Sequence, residues 1–225
     1  MTCKALKKNF FTAGAIPQRP AVFLDRDGTL NEEVDYLWRE EDLHLLPGVP
    51  QALAALRRAG FVLVVVTNQS GVARGFFESA DVERLHAAMQ RRLQAVGAAL
   101  DAFYFCPHHP TTGRPPYVQD CACRKGRPGM LLQAAADLHL DLAASYMIGD
   151  KEADLQAGAA AGCQPLLVLT GYGAESLRRL RHQGVEPRVF ADLAAAAQAI
   201  LDGGFPPVST ASCPPPAVDL LQSDG

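Results

Sequence analysis

The run Phe23-Leu24-Asp25-Arg26-Asp27-Gly28-Thr29-Leu30 sets two carboxylates two residues apart at the end of a short apolar stretch. Residues i and i+2 of a strand share one face, so Asp25 and Asp27 are expected to aim at one point above a sheet edge, with Gly28 turning the chain away. Carboxylates held that close raise each other's pKa unless a cation lies between them. The pair therefore points to a divalent metal, an oxygen nucleophile and a proton donor in one place. Asp and Gly are also ordinary turn residues, so the octapeptide gains its meaning from three further elements. Thr67-Asn68-Gln69-Ser70 offers a hydroxyl and backbone N–H groups suited to a phosphoryl oxygen, Arg124-Lys125 places two cations just before a helix start, and Gly149-Asp150-Lys151-Glu152-Ala153-Asp154 brings a second acidic cluster. Singly, Thr67 and Ser70 read as helix caps, Asp150 as another cap and Lys125 as a solvated charge. Together, in this order and at strand ends, they fit one active site.

A different chemistry is written between residues 106 and 123. Cys106-Pro107-His108 and Cys121-Ala122-Cys123 form a C-x-H…C-x-C set with twelve residues between the halves. Three thiolates and one imidazole match a closed tetrahedral zinc site with a structural role, since four protein ligands leave no open position. The stretch Pro107–Arg127 has no periodicity, and a loop of that length is uncommon unless something ties it down. His109 is the rival ligand, and the C-x-H spacing favours His108.

The elements that must carry these residues alternate. Ala21–Asp25 reads as a short strand, Val49–Arg58 as a helix ending before Gly60, and Phe61–Val66 as a strand buried on both faces. A helix over Ser79–Val96, a strand over Ala102–Phe105 and a helix over Gly129–Leu140, placed just after Pro128, follow. Ser145–Ile148, a helix to Ala161 and Pro165–Leu169 complete the core. A further helix, a short strand near Arg188–Phe190 and an Ala-rich helix from Asp192 fill 174–202. This pattern predicts an α/β fold, a Rossmann-like and mostly parallel sheet with helices on both faces. In such sheets ligands bind outside the carboxyl ends of the strands, where Asp25, Thr67-Asn68, Cys106 and Gly149-Asp150 all fall. Residues 1–19 read as a weakly ordered extension, 20–203 as one domain, and 204–225 as a Pro-rich disordered tail.

At 225 residues the chain suits one such domain, and 48% hydrophobic with 20% charged residues is ordinary for a globular core. The net charge of −3 gives no electrostatic case for nucleic acid or an anionic membrane surface. No apolar stretch approaches the roughly 18 residues of a membrane span, and Met1–Ala15 lacks the apolar segment of a secretory signal. A cytoplasmic monomer is the expectation. The six cysteines do not form a staple framework: Cys3 and Cys213 fall in the tails, Cys163 precedes a strand, and the other three cluster with histidines.

The four acidic, hydroxyl and cationic elements resemble the signature motifs of the haloacid dehalogenase superfamily of phosphotransfer enzymes over residues 21–173. The resemblance implies a minimal cap, an aspartyl-phosphate intermediate on Asp25, and Asp27 as general acid and then general base. It implies Mg2+ held by Asp25, the Asp27 backbone carbonyl and Asp150, with Thr67 and Lys125 neutralising the transferring phosphoryl group. With its zinc loop, the chain is similar to the subgroup of D-glycero-D-manno-heptose 1,7-bisphosphate 7-phosphatases and histidinol-phosphate phosphatases. The matching blocks are FLDRDGTLN (23–31), TNQSGVARG (67–75), CPHHP (106–110), CACRKGRPGML (121–131) and GDKEADLQAG (149–158). The second and fourth blocks look closest to the heptose enzymes, which supply precursors of lipopolysaccharide or related glycans. By this resemblance Arg124 recognises the distal phosphate; Glu33, Val34, Asp35, Tyr36, Asn68, Gln69 and Ser70 line the sugar site; and Lys151 orients Asp150 or touches the phosphoryl group. Histidinol phosphate is the alternative substrate, and a non-catalytic zinc-stabilised binding module is the alternative class. Residues 1–19 and the tail depart from the family's short members, and Trp38–Asp42 carries no pattern tied to a heptose.

Overall fold

The computed structural model describes residues 18–203; the expected extension and tail lie largely outside the described residues. In chain order the elements are β1 (Arg19–Leu24), α1 (Val49–Arg58), β2 (Val62–Asn68), α2 (Gly71–Arg74), α3 (Ser79–Gln94) and β3 (Ala102–Cys106). Then come α4 (Gly129–Leu138), β4 (Leu140–Gly149), α5 (Glu152–Ala161), β5 (Gln164–Val168), α6 (Gly173–His182), β6 (Val189–Phe190) and α7 (Leu193–Leu201). The six strands form one sheet in the order β3-β2-β1-β4-β5-β6, and every pairing is parallel.

Alternation along the strands divides the core. Val22, Leu24, Leu63, Val65 and Ile148 face a cluster built with Leu53 and Leu56 of α1, Leu85, Met89 and Leu93 of α3, and Leu193 and Ile200 of α7. Ala21, Phe23, Val62, Val64, Val66 and Met147 face the other side, where Met130, Leu131 and Ala134 of α4 meet Ala157 and Ala161 of α5. A parallel sheet covered on both sides requires such continuous apolar strands. At roughly 25 cal/mol per Å² of apolar surface removed from water, these two layers are the main force holding the strand ends in place.

The expected elements are present, with shifted ends. β1 begins at Arg19 and stops at Leu24, so Asp25 already lies beyond the strand. α4 stops at Leu138 because His139 takes a left-handed φ of 54°, which frees Leu140 to start a strand. β4 is thus longer than expected. It pairs with Arg19 and Pro20 before a register shift, and with Val22–Leu24 after it. Ser145 Oγ fills that irregularity by accepting from the Ala21 N–H at 2.8 Å. The short helix α2, not anticipated, turns the chain directly after Ser70.

The chain runs outward from β1 through β2 to β3, then crosses back to place β4 on the other side of β1. Strand order therefore reverses between β1 and β4, and a crevice opens at their carboxyl ends. Asp25 and Asp150 flank it.

Candidate active site

Asp25, Asp150 and Asp154, all buried, offer carboxylate oxygens within 4.8 Å of one another. Each arrives for a local reason. Asp25 follows β1, with its N–H donating to the Ile148 carbonyl at 2.9 Å. Asp150 follows β4; its Oδ2 accepts from the Tyr172 N–H at 2.8 Å, and its carbonyl accepts from Ser176 Oγ at 2.8 Å. Asp154 stands in the first turn of α5, where Oδ2 accepts from the Lys151 N–H at 3.0 Å. Two glycines make room. A Cβ on Gly28, whose φ is +81°, would strike the Asp150 carboxylate, and one on Gly149 would strike Asp154.

Lys125 is the counterion. Its Nζ lies 2.6 Å from Asp25 Oδ1 and 2.6 Å from Asp154 Oδ1, and its side chain is 3% exposed. Burial alone would lower its pKa, but the two carboxylates raise it, so the ammonium stays charged. Burial drives Asp154 up to about 6, with Asp25 adding to the rise and Lys125 opposing it. Asp150 is driven further, to about 8, by burial and then by Asp25 and Asp154, against the pull of Lys151. Its Oδ1 is buried without a hydrogen-bond partner, and the nearest cation, Lys151 Nζ, is 3.9 Å away. An orphaned, proton-hungry oxygen beside a second carboxylate is the donor set of a hard divalent cation. Asp154 is already taken on both oxygens, so it stands behind the cation site.

Asp27 does not join this group as the strand argument expected. Because β1 ends at Leu24, alternation no longer governs Asp25 to Asp27. Arg26, fully buried, turns inward and grips Asp27 with Nε to Oδ1 at 3.0 Å and Nη2 to Oδ2 at 2.8 Å. Asn31 Nδ2 and Gln69 Nε2 each donate to Asp27 at 3.0 Å. Burial would raise Asp27, but the Arg26 charge and these three donors hold it below the usual carboxylate range.

The other expected residues divide. Thr67, at the end of β2, is buried, and its Oγ1 accepts from Gln69 Nε2 at 2.9 Å. Gln69 therefore serves Asp27 and Thr67. Asn68 faces the main chain of Lys125: its Oδ1 accepts from the Lys125 N–H at 2.9 Å and its Nδ2 donates to the Lys125 carbonyl at 3.3 Å. Ser70 occupies the N-cap of α2 and makes no side-chain capping bond. Lys151 Nζ reaches across to Glu33 Oε2 at 2.6 Å and lies 5.0 Å from the centre of the Tyr172 ring. Val34, Asp35 and Tyr36 line a cleft of about 360 Å³ with Trp38, Arg39, Asp42 and His44, which gives the unassigned Trp38–Asp42 stretch a place in the structure.

In the loop after β3, Cys106, Cys121 and Cys123 stand with Sγ–Sγ separations of 3.2–3.4 Å. His108 Nδ1 lies 3.7 Å from Cys106 Sγ and 3.5 Å from Cys123 Sγ. A tetrahedron with Zn–S bonds of about 2.3 Å has edges of roughly 3.5–3.8 Å, so these four atoms can hold zinc. His109 is not among them. Its Nδ1 accepts from the Thr112 N–H at 3.0 Å, and its Nε2 lies 3.3 Å from Arg74 Nη2. Arg124 Nη1 donates to the His108 carbonyl at 3.0 Å, and the charges of Arg124 and Arg74 both bear on His109. Arg74, whose buried Nε has no partner, escaped the sequence reading although it lies in the TNQSGVARG block.

Known proteins resemble this chain in sequence and fold. Residues 122–196 match the family model described as HAD-hydrolase-like. A D-glycero-beta-D-manno-heptose-1,7-bisphosphate 7-phosphatase of Escherichia coli is 48% identical over 153 residues, covering 68% of this chain and 80% of that protein. The corresponding 7-phosphatase of Thermosynechococcus vestitus is 46% identical over 188 residues, covering 80% and 94%. The chain belongs to the haloacid dehalogenase-like phosphatases. Within them it falls beside the heptose-bisphosphate enzymes. The crystal structure of D,D-heptose 1,7-bisphosphate phosphatase from B. bronchiseptica, complexed with magnesium and phosphate, superposes with a TM-score of 0.72 at 41% identity, covering 81% of this chain and 98% of that one. Among the described residues of this haloacid dehalogenase-like phosphatase, no helix is long and apolar enough to cross a membrane.

Proposed function

We propose that this phosphatase removes the 7-phosphate of D-glycero-D-manno-heptose 1,7-bisphosphate, in the supply of heptose precursors for lipopolysaccharide or related glycans. The observation that carries the reading is the buried Asp25–Lys125–Asp150 constellation in a chain 46–48% identical to heptose-bisphosphate 7-phosphatases. Asp25 is the nucleophile. Both of its described polar contacts, the Arg26 N–H and Lys125 Nζ, use Oδ1, which leaves Oδ2 for attack on phosphorus. As the Oδ2–P bond forms, the bond from phosphorus to the sugar oxygen breaks, and that oxygen keeps the electron pair and takes a proton from Asp27. Water then attacks the aspartyl phosphate and gives its proton to Asp27, and Asp25 departs with its electron pair, releasing phosphate. Lys125 and the Thr67 hydroxyl neutralise charge on the phosphoryl oxygens. To carry a proton Asp27 must first leave Arg26, since the salt bridge favours its charged form.

Asp25, the Asp27 carbonyl and Asp150 are the proposed magnesium ligands; bound there, Mg2+ supplies charge neutralisation to the phosphate. Mg2+ affinity should then follow the Asp150 proton. With a metal-free folded pKa near 8, above the ordinary 3.8, the metal-free fold loses stability as pH rises from 4 to 8 and the cation restores it. Titration calorimetry should show Mg2+ binding weakening by up to about tenfold per pH unit below 8, and a pH-independent affinity would remove Asp150 from the set.

The Cys106, His108, Cys121 and Cys123 cluster is read as structural zinc. Cys121→Ser should lose zinc on elemental analysis and lower activity about 10–100-fold through the loop; unchanged metal content would refute the assignment. Arg124, with Arg74 and the His109 ring beside it, is the proposed cradle for the distal phosphate. Glu33, Val34, Asp35, Tyr36 and Ser70 are the proposed sugar-side lining. Reduced thiols suit the cytoplasm, and one chain supplies every site residue, so a monomer suffices. Phosphate release with magnesium from the heptose bisphosphate and from L-histidinol phosphate, side by side, tests the reading. Preference for histidinol phosphate overturns the substrate, and silence on both removes the two substrates proposed and places the true one elsewhere.

A further inference from the structure

Arg26 carries five N–H donors on a plane that is wholly buried. Two of them go to Asp27, and Nη2 also donates to the Leu37 carbonyl at 3.2 Å. The far nitrogen, Nη1, has one described acceptor: Nε2 of His86, at 3.4 Å. His86 rises from α3, and its ring is held from two sides. It stacks on Phe103 of β3 with centroids 4.8 Å apart and planes 22° from parallel, and it meets the edge of Phe105 at 5.9 Å. The ring is 5% exposed. Because a guanidinium only donates, Nε2 must accept, which puts the imidazole proton on Nδ1. Burial, and then the Arg26 charge, push the His86 pKa down to about 3, so the ring is neutral and its lone pair is available. A chain of contacts thus runs from the apolar layer under β3 through Phe103, His86 and Arg26 to the Asp27 carboxylate.

We propose that His86 is a positioning residue for Asp27, acting through Arg26. The inference rests on the functional reading above, in which Asp27 delivers the proton to the departing sugar oxygen. His86 touches neither substrate nor reacting atoms. It fixes the plane and depth of the Arg26 guanidinium, and that guanidinium fixes the point from which Asp27 swings toward the phosphate and to which it returns. Without the Nε2 acceptor, a buried N–H of Arg26 is left unpaired, a cost that moves the side chain. Asp27 is displaced with it, and proton delivery slows. None of the described side-chain contacts of Arg26 reaches Asp25, Lys125, Asp150 or Asp154, so the nucleophile, its counterion and the acidic cluster keep their places.

The test separates proton delivery from everything else. A sugar alkoxide is a poor leaving group and needs the Asp27 proton, whereas 4-nitrophenolate departs without one. For both substrates kcat/KM reports steps up to loss of the leaving group, so hydrolysis of the aspartyl phosphate does not enter. His86→Phe keeps a ring against Phe103 and removes the acceptor; His86→Gln removes the ring and offers an amide oxygen in its place. The expected result with magnesium present is a fall of about tenfold or more in kcat/KM for the heptose bisphosphate in His86→Phe. For 4-nitrophenyl phosphate the same variant should change by less than about threefold, and His86→Gln should recover most of the loss. His86→Leu serves as a second acceptor-free variant should the phenyl ring overfill the site. An equal fall on both substrates, or no fall on either, overturns the proposal while leaving the phosphatase reading intact. A wild-type chain inert toward both substrates overturns the phosphatase reading and this one with it.

Discussion

Asp25→Asn should yield a folded protein whose turnover is reduced by at least about 10³-fold. An amide oxygen carries no charge with which to attack phosphorus, and the variant cannot form the acyl phosphate on which the second half of the reaction depends. The fold should not suffer. Asp25 is one of three crowded, buried carboxylates, and its charge raises the pKa of Asp150, Asp154 and Glu33. Neutralising it relieves that repulsion, while Lys125 retains Asp154 as its partner at 2.6 Å. Thermal unfolding of the metal-free variant should therefore occur at or above the wild-type temperature. Rapid acid quench with labelled substrate should trap phosphoprotein in the wild type and none in the variant. Appreciable turnover in Asp25→Asn would sink the covalent route.

Lys125→Met should do the opposite to stability while also stopping the reaction. Its ammonium lies between Asp25 and Asp154, and all three side chains are at most 5% exposed. Removing one partner from a buried ion cluster leaves charge without compensation, typically at a cost of about 3–5 kcal/mol. Methionine fills the volume of the stem, so the loss reads the charge rather than a cavity. Urea unfolding of the metal-free protein should show a lower midpoint with an unchanged slope. The double variant Lys125→Met with Asp25→Asn should regain part of that loss, because one of the stranded carboxylates is gone. Additive effects in this cycle would show that Lys125 and Asp25 do not interact in solution.

The residues proposed to react were placeable from the sequence because a parallel sheet exposes its strand-end side chains along one edge. Asp25, Thr67 and Asp150 follow apolar runs whose length admits little else, and Lys125 is located by the helix that starts just after it. The Cys106, His108, Cys121 and Cys123 cluster was legible from ligand spacing alone. What sequence spacing could not convey is which charges turn inward. Arg26, between two aspartates, reads as a solvent-facing spacer, and only the early end of β1 drives it under the loop to hold Asp27. His86 occupies a place on α3 beside the buried Val82, Leu85 and Met89, where a histidine looks like a tolerated intruder. Asn68 and Gln69 look free to meet a sugar, yet both amides are already engaged with Lys125, Asp27 and Thr67. β4 ran longer than Ser145–Ile148 because Asp141–Ala144 carries the register shift, for which local pattern gives no signal.

If Cys121 and Cys123 hold zinc as proposed, their closeness to Lys125 has a consequence for how concentration acts inside the molecule. A lysine on a long unstructured loop samples a large volume, and its effective concentration at a distant carboxylate is set by the loop's reach. With Cys106 fixed at the end of β3 and Cys121 and Cys123 within 3.4 Å of it, the proposed zinc would make the span between them a closed ring, with Lys125 two residues from the clasp. Closing a ring of that size removes about 3 kcal/mol of chain entropy in the analogous disulfide case. Losing zinc would therefore act less like damage to the catalytic groups than like diluting one of them. The enzyme would keep its nucleophile and its fold while the cation that steadies the phosphoryl group becomes scarce at the site. Activity would then track zinc supply in a graded and reversible way.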